Sequence, residues 1–282
     1  MLWTFLLPGL LFYIVFLVWP SIQALWISLT DWDGLSDEQE FVGLDNYRNL
    51  LNDEVVGIAA VNNLLWSLIT IVLPMVLGLA LAVLLNRKSR TSPIFRTIFY
   101  APAVLPLVSI ASIWAWLYDP TDGAINYVLG TLGLEALEQS WLGQDSTAIW
   151  SVMIPAVWVR TGFPMLLYLA ALQSIPDQQY EAASLDGANR WQQFTQITFP
   201  SLKETHYIVL ALSLIESFKV FDLIYAMTYG GPGFATQVMG TWMYANVFQY
   251  FDAGYGTAIA VIITVVAVAA GAPYVRSQVK NR

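Results

Sequence analysis

The feature that most constrains this chain is the recurrence of long apolar runs. Uncharged stretches of roughly twenty residues or more lie at 4–29, 64–85, 97–118 and 257–275. Two further runs, 148–172 and 207–228, reach the same length but hold Arg160 in one and Glu216, Lys219 and Asp222 in the other. A helix rises ~1.5 Å per residue, so about twenty residues cross a hydrocarbon core of ~30 Å. Only 11% of the residues are charged and 57% are hydrophobic, against about 25% charged in soluble domains. So much apolar surface cannot be hidden within one soluble fold of 282 residues. The expectation is an all-α integral membrane protein with six transmembrane helices, forming a single domain over 1–282.

Lysine and arginine fix the orientation, because cytoplasmic loops carry them in excess. Residues 30–60 hold eight acids and one base, Arg48; residues 119–147 hold five acids and no base; residues 229–256 hold only Asp252. The opposite side holds Arg87, Lys88, Arg90, Arg96, Arg190, Lys203, Arg276, Lys280 and Arg282. Nine bases against one place both termini in the cytoplasm. The run at 4–29 is too long for a secretory signal and no base precedes it, so it reads as a true span whose basic tail is missing or very short. The net charge of −8 comes mainly from the outer loops and argues against a nucleic-acid partner.

Trp26, Trp32, Trp66, Trp116 and Trp150 fall near span ends, the expected place of an interfacial belt. Pro74 with Gly78, Pro102 with Pro106, Pro155, and Gly162 with Pro164 should kink or loosen their helices. Kinked spans are tolerated where neighbours or a wet cavity satisfy the freed carbonyls, which favours a bundle around a pathway over a passive anchor.

Several chemistries lack their residues. The chain has no cysteine and a single histidine, His206, so thiolate and multi-histidine metal sites are excluded. None of the four lysines follows a glycine, so no P-loop is present. No nucleophile elbow or zinc helix occurs either.

The segment 174–205 is the most informative. Ser174 is placed to cap a helix whose first turn contains Pro176, where a missing N–H costs nothing. Asp177 and Glu181 sit early, where the helix dipole favours anions. Gly187 suits a left-handed stop after Asp186. A second helix then carries Trp191, Phe194 and Ile197 on one face until Pro200 ends it. The product is a helix–turn–helix that offers small residues, Ala182 and Ala183, to a partner. On physical grounds alone it is equally a surface helix that joins two spans.

The same segment resembles the E-A-A-x3-G-x9-I-x-L-P signature of permease subunits of ATP-binding-cassette (ABC) importers. It reads Glu181-Ala182-Ala183, Gly187, Ile197 and Pro200 at both spacings, with Phe199 where the family usually has leucine. The rest of the chain resembles the carbohydrate branch of that family, the maltose and glycerol-phosphate type. The matches are Phe41-Val-Gly-Leu-Asp-Asn-Tyr47, Gly78-Leu-Ala-Leu-Ala, Leu85-Asn-Arg, Phe95-Arg-Thr with Pro102, Gly123-x-x-Asn126 with Trp141-Leu142, Phe221-Asp222, and Thr228-x-Gly-Gly-Pro232.

The resemblance implies a type I ABC importer permease fold in a prokaryotic cytoplasmic (inner) membrane. It implies a second permease subunit, two ATPase subunits and an external solute-binding protein as partners, and a sugar, glycoside or polyol as solute. It makes Glu181, Ala182, Ala183, Asp186, Gly187, Ile197 and Pro200 the coupling residues that dock on an ATPase. This chain then binds no cofactor, because ATP and Mg belong to the partner subunits, and it is not an enzyme.

A charge near the bilayer centre costs a few kcal/mol, so it asks for a partner or a wet cavity. Glu216, Lys219 and Asp222 are spaced to share one helix face, and with Arg160 they sum to zero. They either pin spans four and five together or line the translocation path. His206 is expected at the cytoplasmic interface. The alternative function is a stand-alone secondary transporter driven by protons through Glu216 or Asp222, although no inverted internal repeat is evident.

Overall fold

The computed structural model describes residues 2–86 and 91–280, with side chains described for 6–86 and 91–272. Arg87, Lys88, Arg90 and Arg282 of the basic set expected in the cytoplasm lie outside the described residues, as do the side chains of Arg276 and Lys280. Every regular element among the described residues is a helix, and one isolated antiparallel bridge joins Thr30 and Phe41. Helices α1 (Leu2–Tyr13) and α2 (Trp19–Ile27) form one rod through a π turn. They are followed by α3 (Asp45–Asn52), α4 (Glu54–Leu85), α5 (Ser92–Tyr100), α6 (Leu107–Leu117), α7 (Ala124–Thr131) and α8 (Asp145–Leu172). The second half holds α9 (Asp177–Leu185), α10 (Arg190–Gln193), α11 (Phe199–Ser201), α12 (Lys203–Phe218), α13 (Asp222–Thr228), α14 (Met239–Phe248) and α15 (Ala253–Lys280).

Among the described residues, four helical stretches are long and apolar enough to cross a bilayer: Leu6–Ile27, Glu54–Leu85, Asp145–Leu172 and Ala253–Ala272. The runs expected at 97–118 and 207–228 are not straight spans. The first is α5 and α6, bent by 99° around a 3-10 turn at Ala101–Val104. Pro106 forces this break, since a residue before proline is pushed out of the helical region and Leu105 adopts ψ 144. The second is α12, 16 residues and thus ~24 Å long, followed by α13. Lys219, Val220 and Phe221 separate the two, with Phe221 at φ −155 and ψ −60. By contrast α4 and α8 run unbroken through Pro74, Pro155 and Pro164.

The long helix α4 shows how lipid reverses the usual pattern. Its outward residues Leu64, Leu68 and Val76 are exposed, while Asn62, Asn63, Ser67 and Thr70 are buried. In a bilayer, small and polar residues make the helix–helix seam. Gly78 shows how tight that seam is: a Cβ there would come within 2.9 Å of Pro164 and of the Met165 amide on α8. Gly162 does the same against the backbone of Phe99 and Tyr100, and so seats α8 on the bend of the α5–α6 unit.

The core is three clusters stacked along α4. Leu50, Ala59, Trp242, Tyr255 and Ile259 form one end. Trp66, Ile110, Val152, Val159, Ile224 and Val238 form the middle. Ala82, Tyr168, Leu172, Leu202 and Val209 form the other end. Trp66 therefore belongs to the core, 1% exposed, and not to an interfacial belt; Trp26, Trp116 and Trp150 are exposed as a belt requires. Placing Trp66 by its distance from the span's end missed that α4 begins at Glu54, three turns earlier.

Asparagines on three helices fasten the connecting loops. Asn46 donates to the carbonyls of Ser28 and Thr30, at 3.0 and 2.7 Å. Asn62 donates to those of Ala235 and Gln237, at 2.9 and 2.8 Å. Asn126 donates to Gln139 and accepts from the Trp141 indole. Asp53 caps α4 through the amides of Val55 and Val56 and also accepts from Trp242 and the Tyr255 hydroxyl. One carboxylate thus ties the first loop to α14 and α15.

Candidate functional site: a projecting helical loop and an intramembrane cavity

The projecting loop begins where α8 ends. Ser174 does not cap α9, since its hydroxyl donates back to the carbonyl of Ala171 at 2.7 Å. The N-cap is Pro176 instead, in the extended conformation, so Pro176 precedes the helix and is not inside it. At the other end the amides of Gly187 and Ala188 donate to the carbonyls of Ser184 and Ala183, which is the Schellman pattern of a left-handed stop. Gly187 has φ 82, as its place after Asp186 requires.

A capping box then starts α10. The Asn189 side chain accepts from the Gln192 amide while Gln192 accepts from the Asn189 amide. The sequence reading missed it, although the N-x-x-Q spacing was the available signal. Pro200 does not end the second helix. A π turn over Phe194–Thr198 comes before it, just as Ile14–Val18 comes before Pro20. The wider turn accommodates the missing N–H and the ring, and the chain passes through α11 into α12.

The two arms are cross-tied. Tyr180 bonds Thr198 at 2.9 Å, and Gln193 donates to the Ser184 hydroxyl at 2.9 Å. What remains is an exposed surface. Glu181, Ala182, Asp186 and Gly187 are exposed, and Ala183 and Ile197 are half-buried. Pro200 is exposed at the far end of the loop. Glu181 makes no side-chain bond among the described residues. It borders a shallow depression shared with Tyr180, Ser184 and Leu185. Leu185 is 90% exposed and Trp191 71%. The family signature did not single out these two. A leucine in the last turn before a glycine stop and a tryptophan inside a capping box were the available signals.

The second feature is a cavity of about 460 Å³ bounded by Thr70, Leu107, Arg160, Phe163, Glu216 and Leu223. The four expected intramembrane charges only partly meet. Arg160 Nη2 lies 3.5 Å from the backbone carbonyl of Glu216, and Lys219 Nζ lies 3.8 Å from Glu216 Oε1. The break after Phe218 leaves Lys219 paired with Glu216 at i, i+3 but sets Asp222 on a separate helix, off the face expected of one continuous helix. Asp222 is exposed and makes no ion pair among the described residues. Lys219 and Glu216 are also exposed, with side chains at 67% and 60%. Charges exposed within an apolar bundle do not face hydrocarbon, so this side of α12–α13 adjoins water or another protein.

A bundle of apolar helices broken at Pro106 and after Phe218, with a polar-edged cavity and a projecting helical loop, fits a transport permease. The chain belongs to the family of binding-protein-dependent transport system inner membrane components, whose model matches residues 74–276. It is 39% identical over 269 residues to the probable ABC transporter permease protein YurN of Bacillus subtilis, covering 95% of this chain and 92% of that one. It is 35% identical over 257 residues to the trehalose/maltose transport system permease protein MalF of Thermococcus litoralis, covering 91% and 86%. Among solved structures it is similar to a bacterial ABC transporter involved in the import of the acidic polysaccharide alginate. That likeness has a TM-score of 0.87 and 25% identity and covers 99% of this chain and 95% of that one.

Proposed function

We propose that this chain is one half of the pore of an ATP-driven, binding-protein-dependent importer for a sugar, glycoside or polyol. The observation that carries the reading is the projecting loop. Its Schellman stop, capping box and cross-ties fix a surface with an unpaired carboxylate and two exposed apolar side chains, Glu181, Leu185 and Trp191. Such a surface suits docking in a groove of an ATPase subunit. In this reading Ala182, Ala183, Asp186, Gly187, Ile197 and Pro200 shape the same contact, and ATP and Mg are held by the partner chains. A companion permease completes the pore, and an external binding protein delivers solute. The naming of the relatives for trehalose, maltose and alginate supports a saccharide. Arg160, Glu216 and Thr70 around the cavity suit hydroxyl-rich solutes during alternating access between outward and inward states.

The six-crossing topology in the cytoplasmic membrane, with both termini inside, is part of this proposal. The α5–α6 and α12–α13 units supply the two broken crossings. A proton-driven transporter working alone through Glu216 or Asp222 is the rival, and membership of a binding-protein-dependent family tells against it. The test is uptake of saccharides into vesicles holding the purified complex. Uptake should need ATP inside and survive a proton uncoupler. Uptake by this chain alone that an uncoupler abolishes would overturn the proposal. In this cysteine-free chain, a cysteine at 37 should react with an impermeant thiol reagent from outside, and one at 190 should not.

A further inference from the structure

Helix α13 has two unlike faces. Leu223 and Ile224 are buried in the central cluster. Asp222, Tyr225 and Tyr229, spaced i, i+3 and i+7, lie on the opposite side. Asp222 is exposed there, beside the exposed Lys219 and Glu216. A face that carries a free carboxylate is not a lipid face, so the aromatic rings on it do not belong to an interfacial belt.

These rings form a continuous series. Phe221 stacks on Tyr225 at 5.0 Å and 15°. Tyr225 meets Tyr229 at 4.9 Å and Tyr244 of α14 at 4.9 Å. Tyr244 meets Phe248 at 4.8 Å. The inner end lies next to the cavity, since Phe221 follows Lys219, whose ion-pair partner Glu216 borders that cavity. The outer end is Tyr229, 71% exposed, with φ 54. That left-handed conformation favours glycine or asparagine, and a tyrosine is held there only by its surroundings. The surroundings are rigid: Thr228 bonds Thr236 at 2.7 Å, and Asn62 clamps the carbonyls of Ala235 and Gln237. The fold keeps an aromatic ring where the backbone would prefer none.

We propose that Phe221, Tyr225, Tyr229, Tyr244 and Phe248 form a track on which a saccharide stacks as it passes from the outer side to the cavity at Arg160 and Glu216. This rests on the saccharide reading of the preceding subsection. Aromatic faces carry partial negative charge and attract the weakly positive C–H face of a sugar ring, and Asp222 accepts hydroxyl donors at the inner end. Rings in series let the solute exchange one stack for the next without returning to bulk water.

The test uses the whole complex in vesicles, with a panel of neutral and acidic mono- to pentasaccharides as probes. Tyr225→Ala should raise KM about ten-fold for the transported saccharide, the loss of one strong stacking contact, and more for longer members than for monosaccharides. Tyr225→Phe, which keeps the ring, should stay within about two-fold of wild type by the same measure. Independently of any solute, Tyr229→Cys and Phe248→Cys should react with a water-soluble thiol reagent, whereas Phe12→Cys on the apolar α1 should not. Unchanged KM in Tyr225→Ala overturns the track. So does loss of the companion permease from the Tyr225→Ala complex, which would make this face a subunit interface. Failure of the reagent at 229 also overturns it. If no saccharide is transported by wild type, the saccharide reading itself fails, while the thiol result still reports whether the face is wet.

Discussion

His206 at the start of α12 holds the hydroxyl of Tyr168 on α8 at 2.9 Å through Nδ1. This contact joins the projecting loop to the membrane core. Tyr168 is buried in the cluster with Leu172, Leu202 and Val209. On its other side the His206 ring meets Phe199 at 4.5 Å, Phe199 meets Phe194 at 6.2 Å, and Phe194 stacks on the exposed Trp191 at 5.7 Å. In the proposed coupling role, a displacement of the loop by a docked ATPase would therefore pass to α8 through packed rings, which do not compress. The interfacial histidine of the sequence reading is a structural joint.

The first prediction follows. His206→Ala removes the hydrogen bond and two ring contacts, so it should destabilise the chain by roughly 1–3 kcal/mol. Insertion and ATPase docking should persist. The diagnostic quantity is solute moved per ATP hydrolysed, which should fall, while Tyr168→Phe, with the ring kept, should fall less. An unchanged ratio in folded His206→Ala complexes would refute the joint.

Gly187 offers a sharper test because space and conformation separate there. A Cβ at Gly187 would meet nothing within 4 Å, so the cost of a side chain comes from φ 82 alone. Gly187→Val should cost roughly 1–2 kcal/mol or more, and Gly187→Asn, which tolerates the left-handed region, clearly less. In the purified complex Gly187→Val and Glu181→Lys should lose ATPase subunits in detergent and lose uptake. Wild-type retention and uptake in both variants would remove the loop from coupling.

How far the sequence revealed the protein depends on the element. The apolar runs and the signature loop were legible because both are local: span length is a count, and the glycine stop needs only its neighbours. The kink at Pro106 was expected, but nothing in the sequence told it apart from Pro74, Pro155 and Pro164, and the break after Phe218 was not legible. Proline sits inside α4 and α8 without ending them, so its effect is set by what packs alongside. Gly162 against Phe99 and Gly240 against the Val220 carbonyl are contacts between distant segments. Asp222 was misplaced for the same reason, since i, i+3, i+6 means one face only if the helix continues, whereas Glu216 and Lys219 do pair. Asn62 and Asn63 precede the span expected at 64–85 and carry no local signal, and only the fold shows that they clamp the loop before α14 and its first amide.

Asp53 predicts a pH dependence. Burial alone would raise its pKa, but the bonds from Tyr255, Trp242, Val55 and Val56 outweigh burial and hold it below the usual carboxylate value. A group depressed in the folded state contributes stability above its unfolded pKa of about 3.9 and loses it as pH falls through the folded value. Thermal unfolding of Asp53→Asn in detergent should therefore lie below wild type from neutral pH down to about pH 4, and the gap should narrow below that. A gap that stays constant from neutral to strongly acidic pH would show that the ionised carboxylate adds nothing.

The last prediction separates a structural from a transporting role for the intramembrane charges. Arg160 borders the cavity and reaches Glu216 only through a long contact to its backbone carbonyl, while Glu216 has Lys219 as its ion-pair partner. Removing Arg160 therefore does not strand a carboxylate, and Arg160→Met should assemble with its partners at close to wild-type yield. If the guanidinium hydrogen-bonds the solute, uptake should fall about ten- to a hundred-fold, the loss of one charge-assisted bond worth roughly 1.5–3 kcal/mol. Arg160→Lys should recover part of that loss, because it restores charge without the planar fork. A structural pin gives the opposite result: poor assembly of Arg160→Met, with normal uptake for each complex that does assemble. Measuring complex yield and uptake on the same preparations distinguishes the two, and wild-type uptake per complex would take Arg160 off the pathway.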